Sequence, residues 1–283
     1  MAAHVALTGW GAHPILAGQM AGQLLSSVRA AARLLCTFSA TDRELGVSEL
    51  ARRLGLSKST VHRLLTTLAA EHLIELNPRS GRYRLGIKVY ELGTVVSSHF
   101  ELHEAVAMYI DDLRAQTGET VHVGVLDGSE VVYIERRESL RTLRHMVDFV
   151  GHRNFAHCTA CGKVLLAALP EVDLNRLLED VRLRGRTAHS ITDPDQLRAE
   201  LASVRERGFA ENISESTTSM ASVAAPICDH SNRVIAAISV AGPISRMGEA
   251  ARRRYATVIV DTASRISEQL GYSRPHPART RSA

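Results

Sequence analysis

The sequence is short of the residues that announce several protein classes. Only four of its 283 residues are cysteine, Cys36, Cys158, Cys161 and Cys228, too few and too scattered to staple a fold by disulfides. No apolar run reaches the roughly 18 residues that cross a bilayer, and no basic stretch precedes an apolar one at the N-terminus. A membrane span and a secretory signal are therefore not expected, and the cytoplasm is the expected compartment. Aromatic residues make up 4% of the chain, and Trp10 is the single tryptophan. It lies in the Gly/Ala-rich residues 1–22, which also lack Asp, Glu, Lys and Arg and carry no regular pattern, as a disordered arm would. There is no Gly-rich phosphate cradle and no Gly-x-Ser-x-Gly nucleophile elbow. The histidines are scattered. Nothing here points to an enzyme, and no cofactor is expected.

What is present is an uneven distribution of charge. The overall +4 hides a basic head, since residues 23–93 carry eleven Lys and Arg against six Asp and Glu, while residues 94–270 carry twenty against twenty-four. A polyanionic partner for the head follows. Within it, residues 46–85 read GVSELARRLGLSKSTVHRLLTTLAAEHLIELNPRSGRYRL. Leu50, Ala51 and Leu54 give the apolar stripe of a short helix, with Ser48 expected as its N-cap. Gly55 breaks that helix and permits a tight turn. Ser57 caps a second helix with Val61, Leu64, Leu65 and Leu68 as its buried stripe. Lys58, Ser59, Thr60, His62, Arg63, Thr66 and Thr67 fall off the stripe, and such cationic and hydroxyl side chains suit phosphates and base edges. Strand patterns at 73–76 and 82–85 flank a turn cluster at 77–81. This hairpin carries Arg79, Arg82 and Arg84, expected to reach backbone phosphate. Helix, Gly turn, polar helix and basic hairpin, in that order, make a winged helix-turn-helix for double-stranded DNA. A helical hairpin with a solvated face explains the first helix but not the order.

Upstream, residues 24–38 read as an amphipathic helix capped by Ser26 or Ser27. Val28, Ala31, Ala32, Leu34 and Leu35 form its buried side, Arg29 and Arg33 lie opposite, and Cys36 is a small core residue. Residues 86–100 suggest a linker helix, and a further helix ends at Gly118. From 119 the periodicity shortens. Two β-branched runs surround Asp127-Gly128, a hairpin signal. Further strands are expected through 141–149, through 208–214, and on either side of His230-Ser231-Asn232. Helices are expected over 159–169, 171–183, 194–207 (Thr192 as cap, Pro194 at the start) and 248–270. The fold class is α+β, a winged helix at 23–85 followed by an antiparallel sheet with packed helices over 101–271. Residues 272–283 are expected to be a disordered basic tail.

Several of these stretches carry a family likeness. GVSELARRLGLSKSTVHRLLTTL with GRYRLG, TGETVHVGVLDGSEVVYIER, HCTACGKVLLAALP, ITDPDQLRAELASVRERGFA and VAAPICDHSNRVIAAISVAGPISR together resemble the isocitrate-lyase-regulator (IclR) family of bacterial transcription factors. The likeness covers roughly residues 24–271. It implies a GAF-like effector-binding domain, a palindromic operator, a small organic acid as effector, and a homodimer or dimer of dimers. Carried over position by position, the effector pocket comprises Leu143, Thr159, Ala160, Cys161, Gly162, Asn212, Ser222, Ser239 and Ala241. The start of the helix at Thr159–Gly162 offers free N–H groups and the positive end of a dipole. From the residues alone it is an ordinary capped helix; the resemblance makes it a pocket wall. The family pattern has Asp at 212, Cys at 222 and Ser at 241, where this chain has Asn212, Ser222 and Ala241. Losing a carboxylate and a hydroxyl opens the pocket to an aromatic or larger acid, or to an uncharged derivative.

Two competing readings stand beside this one, the first a thiol- or metal-sensing regulator that uses Cys158 and Cys161 with the same DNA-binding head. His157-Cys158-Thr159-Ala160-Cys161 has the spacing of a thiol pair or half a zinc site. With His145, His152 and Cys228 as the only helpers, tight packing at a helix start is favoured, and no metal is expected. The other alternative is an enzyme with an appended DNA-binding domain.

Overall fold

The computed structural model describes residues 25–39, 41–98, 101–139, 141 and 150–273. The expected arm at 1–22, most of the strand expected over 141–149, Leu143, and the tail from 274 onward lie outside the described residues. The chain divides into two compact units, Met1–His99 and Phe100–Ala283.

The first unit comprises α1 (Ser26–Leu35), α2 (Val47–Leu54), α3 (Lys58–Ala70), β1 (Ile74–Asn77), β2 (Arg82–Leu85) and α4 (Ile87–Ser98). Gly55 ends α2 at φ +68, in the left-handed region where a Cβ costs about 1–2 kcal/mol. The Ser57 hydroxyl then accepts the Thr60 N–H at 3.2 Å and opens α3. Leu34, Leu45, Leu50, Val61, Leu65 and Ile74 close a small core, in which Leu65→Ala would cost about 2–5 kcal/mol. β1 and β2 pair antiparallel from Ile74 with Leu85 to Asn77 with Arg82, and Leu45 adds a bridge to Tyr83.

Three details differ from expectation. α2 starts one residue before Ser48, with Gly46 at the cap position, so Ser48 lies inside the first turn. α1 has Leu25 at its N-cap and no side-chain cap, because Ser26 is already helical. Val28, Ala32 and Cys36 are exposed, since only Leu34 of this helix reaches the core fully.

The second unit comprises α5 (Glu101–Thr117), β3 (Thr120–Asp127), β4 (Glu130–Arg137), β5 (Arg153–Phe155), a 3-10 turn at Ala156–Cys158, α6 (Ala160–Ala167), α7 (Glu171–Asp180), α8 (Pro194–Arg207), β6 (Ala210–Ile213), β7 (Met220–Cys228), β8 (Val234–Pro243) and α9 (Glu249–Gln269). The strands form one antiparallel sheet in the order β5-β4-β3-β8-β7-β6. Gly128 turns the β3–β4 hairpin at φ +62. Alternation sorts the strand side chains onto two faces. Val121, Val123, Val223, Ile227, Ile238 and Val240 pack with α5 and α9. Val131, Tyr133, Ala210, Ala224 and Ala237 pack with α6, α7 and α8. The cap of α8 is Asp193, whose carboxylate accepts the N–H groups of Asp195 and Gln196; Thr192 falls just outside because Pro194 occupies the first helical position. The short β5 was not expected from the sequence, and α7 is shorter than the 171–183 pattern. Glu119 is fully buried between Arg246, which donates two bonds of 2.6 Å, and Arg141 at 3.2 Å. The ion pair ties β3 to the turn after β8.

Candidate functional site

Two surfaces collect the residues singled out by sequence. On the first unit, Lys58, Ser59, Thr60, His62, Arg63, Thr66 and Thr67 are all exposed along one side of α3, opposite Val61, Leu65 and Leu68. Their hydrogen bonding is uneven. Thr66 and Thr67 donate back to the His62 and Arg63 carbonyls, and Ser59 and Thr60 lean on Ser57 at 2.9 Å. Lys58 and Arg63 make no ion pair with another described residue. The wing is divided in the same way. Arg82 is held by Glu49 at 2.7 Å, and Glu49 also takes Arg53. Arg84 is paired with Glu75. Arg79, at the tip of the hairpin, makes no ion pair with a described residue and projects an uncompensated charge.

The second surface is the α6 side of the sheet. Antiparallel register places Arg136 beside His122 and His122 beside Ser239, with Ala224 next. In the adjoining row Thr120 faces Ala241, Ala241 faces Ser222 and Ser222 faces Asn212. Directly opposite residues have Cβ atoms about 4.5–5.5 Å apart, so these two rows bring Asn212, Ser222, Ser239 and Ala241 onto one patch. Ser222 and Ser239 are buried, and the Ser222 hydroxyl makes no hydrogen bond to another described residue. Asn212 is fully engaged at its oxygen, which accepts the Glu215 N–H at 2.8 Å, while its amide donates to Ser216 Oγ at 3.0 Å.

The start of α6 lies over the same patch. Thr159 caps it by accepting the Gly162 N–H at 3.0 Å, and Cys161 Sγ lies 3.6 Å from the Ala237 carbonyl. The N–H groups of Ala160 and Cys161 make no hydrogen bond to a described residue. Gly162 is required here, since a Cβ on it would sit 2.2 Å from the Ala156 carbonyl oxygen. Burial pushes the Cys161 thiol up to about 12, although its hydrogen bond with Ser239 pulls the other way. Burial also raises Cys158, whose Sγ faces the Arg184 carbonyl at 3.9 Å. Both cysteines are free and held as thiols, which opposes a reactive thiol pair. Among the described residues no three His, Cys, Asp or Glu side chains group closely enough to hold a metal ion.

Sequence reading passed over two polar residues on this patch. His122 is 2% exposed in the middle of the sheet, and its Nε2 has no hydrogen-bond partner among the described residues. Burial, then the charges of Arg136 and His152, lower its pKa from 6.5 to about 3, so the ring is neutral at pH 7. Arg136 bonds Glu138 at 2.8 Å through Nη1, while its buried Nε has no partner among the described residues. The available signal was a histidine in the otherwise small and β-branched strand Thr120–Gly124.

These features coincide with those of known proteins. A family profile for the IclR helix-turn-helix domain matches residues 27–78, and one described as the bacterial transcriptional regulator IclR C-terminal domain matches residues 94–268. The HTH-type transcriptional regulator XynR of Escherichia coli K12 is 35% identical over 249 residues, covering 88% of this chain and 98% of that protein. The crystal structure of Thermotoga maritima IclR superposes with a TM-score of 0.71 at 30% identity, covering 87% of this chain and 99% of that one. An IclR homolog from Microbacterium hydrocarbonoxydans, complexed with 4-hydroxybenzoate, shares the fold with a TM-score of 0.78 at 24% identity, over 88% of this chain and 100% of that one. The helix-turn-helix unit, the curled antiparallel sheet with its helices and these matches lead to one assignment: the chain belongs to the IclR family of transcriptional regulators, with a DNA-binding head and a C-terminal effector domain.

Proposed function

We propose that the exposed side of α3 reads a (pseudo)palindromic operator in the major groove, through Lys58, Ser59, Thr60, His62, Arg63 and Thr66. The wing adds phosphate contacts, led by Arg79, with Arg82 and Arg84 available only if phosphate displaces Glu49 and Glu75. A palindrome requires two heads, with half-sites one or two helical turns apart, about 10–20 bp. The chain acts as a homodimer or a dimer of dimers. Supporting this, α4 leaves Ile87, Tyr90 and Leu92 exposed, an apolar set that a second copy would cover.

The effector site is the patch formed by Thr159, Ala160, Cys161 and Gly162 over Asn212, Ser222, Ser239 and Ala241. It takes a small organic acid. The observation that carries this reading is the meeting of two N–H groups without a partner among the described residues and two buried hydroxyls on one face of the sheet. Binding shifts the population of head arrangements and so changes operator affinity. The Microbacterium homolog holds a small aromatic acid, in keeping with this size and chemistry. The test is a thermal-shift screen of small carboxylates, followed by operator binding with each hit. Hits that raise the melting temperature and change operator affinity support the reading. Hits that stabilise the protein and leave operator affinity unchanged contradict it.

A further inference from the structure

Two half-buried arginines of the second unit are met by carboxylates or carbonyls, whereas Arg114 and Arg136 each keep a buried Nε with no hydrogen-bond partner among the described residues. Arg246 meets Glu119 through two bonds of 2.6 Å, and Arg252 meets Glu211 at 2.8 Å. Of Arg114 and Arg136, it is Arg136 that stands in the row of His122 and Ser239. Its side chain is 15% exposed, yet its one carboxylate partner is Glu138, which reaches only Nη1 and is itself 67% exposed. The buried Nε points to no acceptor among the described residues, and Nη2 makes no hydrogen bond to one. Nε and Nη2 form the flat edge that binds a carboxylate through two parallel hydrogen bonds. The next residue across the sheet, His122, has its buried Nε2 without a hydrogen-bond partner among the described residues, and the one after it is Ser239.

We infer that Arg136 is the anion-recognising residue of the effector pocket, taking a carboxylate on its Nε–Nη2 edge, with the His122 imidazole hydrogen-bonding beside it. The inference rests on the pocket reading above and extends it. It selects acids over the uncharged derivatives that the loss of the usual Asp at 212 had left open. Because His122 stays neutral at pH 7, the guanidinium alone matches the charge, and the ring serves as a hydrogen-bonding neighbour that adds no second cation. The start of α6 and Ser239 then meet the remainder of the molecule, which places the carboxylate toward β4.

The test uses the full chain and a panel of aliphatic and aromatic monocarboxylates, 4-hydroxybenzoate among them, each beside its primary amide. Affinities are measured by calorimetry for the wild type, Arg136→Gln, Arg136→Lys and Ser239→Ala, with a thermal melt of each to show that it folds. Wild type is expected to bind acids at least tenfold more tightly than their amides. Arg136→Gln should lose that preference, weakening the acids far more than their amides, and Arg136→Lys should restore part of it. Arg136→Gln binding acids as tightly as wild type overturns the inference. If Ser239→Ala weakens the same acids, the pocket reading survives that result. If no acid or amide in the panel binds wild type, the pocket reading fails and this inference fails with it.

Discussion

Replacing Gly162 by alanine sets two effects of opposite sign against each other. In a helix interior alanine is favoured over glycine by about 1 kcal/mol, so propensity alone predicts stabilisation. The geometry predicts the reverse. A Cβ at 162 would lie 2.2 Å from the Ala156 carbonyl oxygen, 2.3 Å from its Cα and 2.5 Å from its carbonyl carbon. All three are backbone atoms, so no side chain can swing aside, and the 3-10 turn and α6 must separate by about 1 Å to reach ordinary contact. Forcing extra volume into a packed interior costs about 1–3 kcal/mol and more where backbone must move, which exceeds the propensity gain. The same displacement moves the Thr159 cap and the Ala160 and Cys161 N–H groups away from Ser239. Chemical denaturation of Gly162→Ala should show a loss of about 2 kcal/mol or more in the second unit. Operator binding without effector should be retained and the effector response lost. A variant as stable as wild type with an intact response would refute the argument.

Three further outcomes follow from the same geometry. Ser239→Ala removes a buried hydroxyl from the pocket patch and should weaken effector binding about tenfold, the equivalent of about 1.4 kcal/mol, with effector-free operator affinity unchanged, both measured by titration. On the wing, Arg79→Ala should flatten the dependence of operator affinity on salt by about one unit, as expected for one lost phosphate contact; Arg82→Ala should flatten it less, because Glu49 already offsets that charge, and equal effects would mean the Arg82–Glu49 pair opens on DNA. Because His122 titrates near 6.5 when unfolded and at about 3 when folded, the unfolded chain takes up a proton that the native state refuses; the contribution is present above about 6.5, is lost as pH falls toward 3, and amounts to about 2 kcal/mol between pH 7.5 and 5, so urea melts of His122→Gln should be less acid-sensitive than wild type.

The head was legible because its signals are local. Gly55 and Ser57 each act within a few residues, and a polar α3 face needs only helical periodicity to be seen. What escaped were choices decided by a single residue's backbone, such as Gly46 in place of Ser48 and Asp193 in place of Thr192 at the caps. In the second unit, alternation and Asp127-Gly128 announced the hairpin, but three-residue β5 is too short to show a period. The residues that gather on the α6 face come from β3, β4, β6, β7 and β8, separated by up to 121 positions, from Thr120 to Ala241. Only register puts Arg136, His122 and Ser239 side by side. Chain order alone could not have joined them, and the resemblance reached Ser239 but neither Arg136 nor His122. The pairing of Arg82 and Arg84 with Glu49 and Glu75 was equally invisible, since a basic wing looks uncompensated until the partner carboxylates are placed in space.

The central claim, a sequence-reading head on a regulator, is tested most directly by selecting duplexes from a random-sequence pool on the full chain, in parallel with Arg63→Ala. Wild type should enrich an inverted repeat with half-sites about 10–20 bp apart, and Arg63→Ala should bind the selected site about 1–3 kcal/mol more weakly while relaxing the preference at one position of each half-site. Enrichment of no sequence by wild type, or an identical motif bound with equal affinity by Arg63→Ala, would contradict the placement of α3 in the major groove.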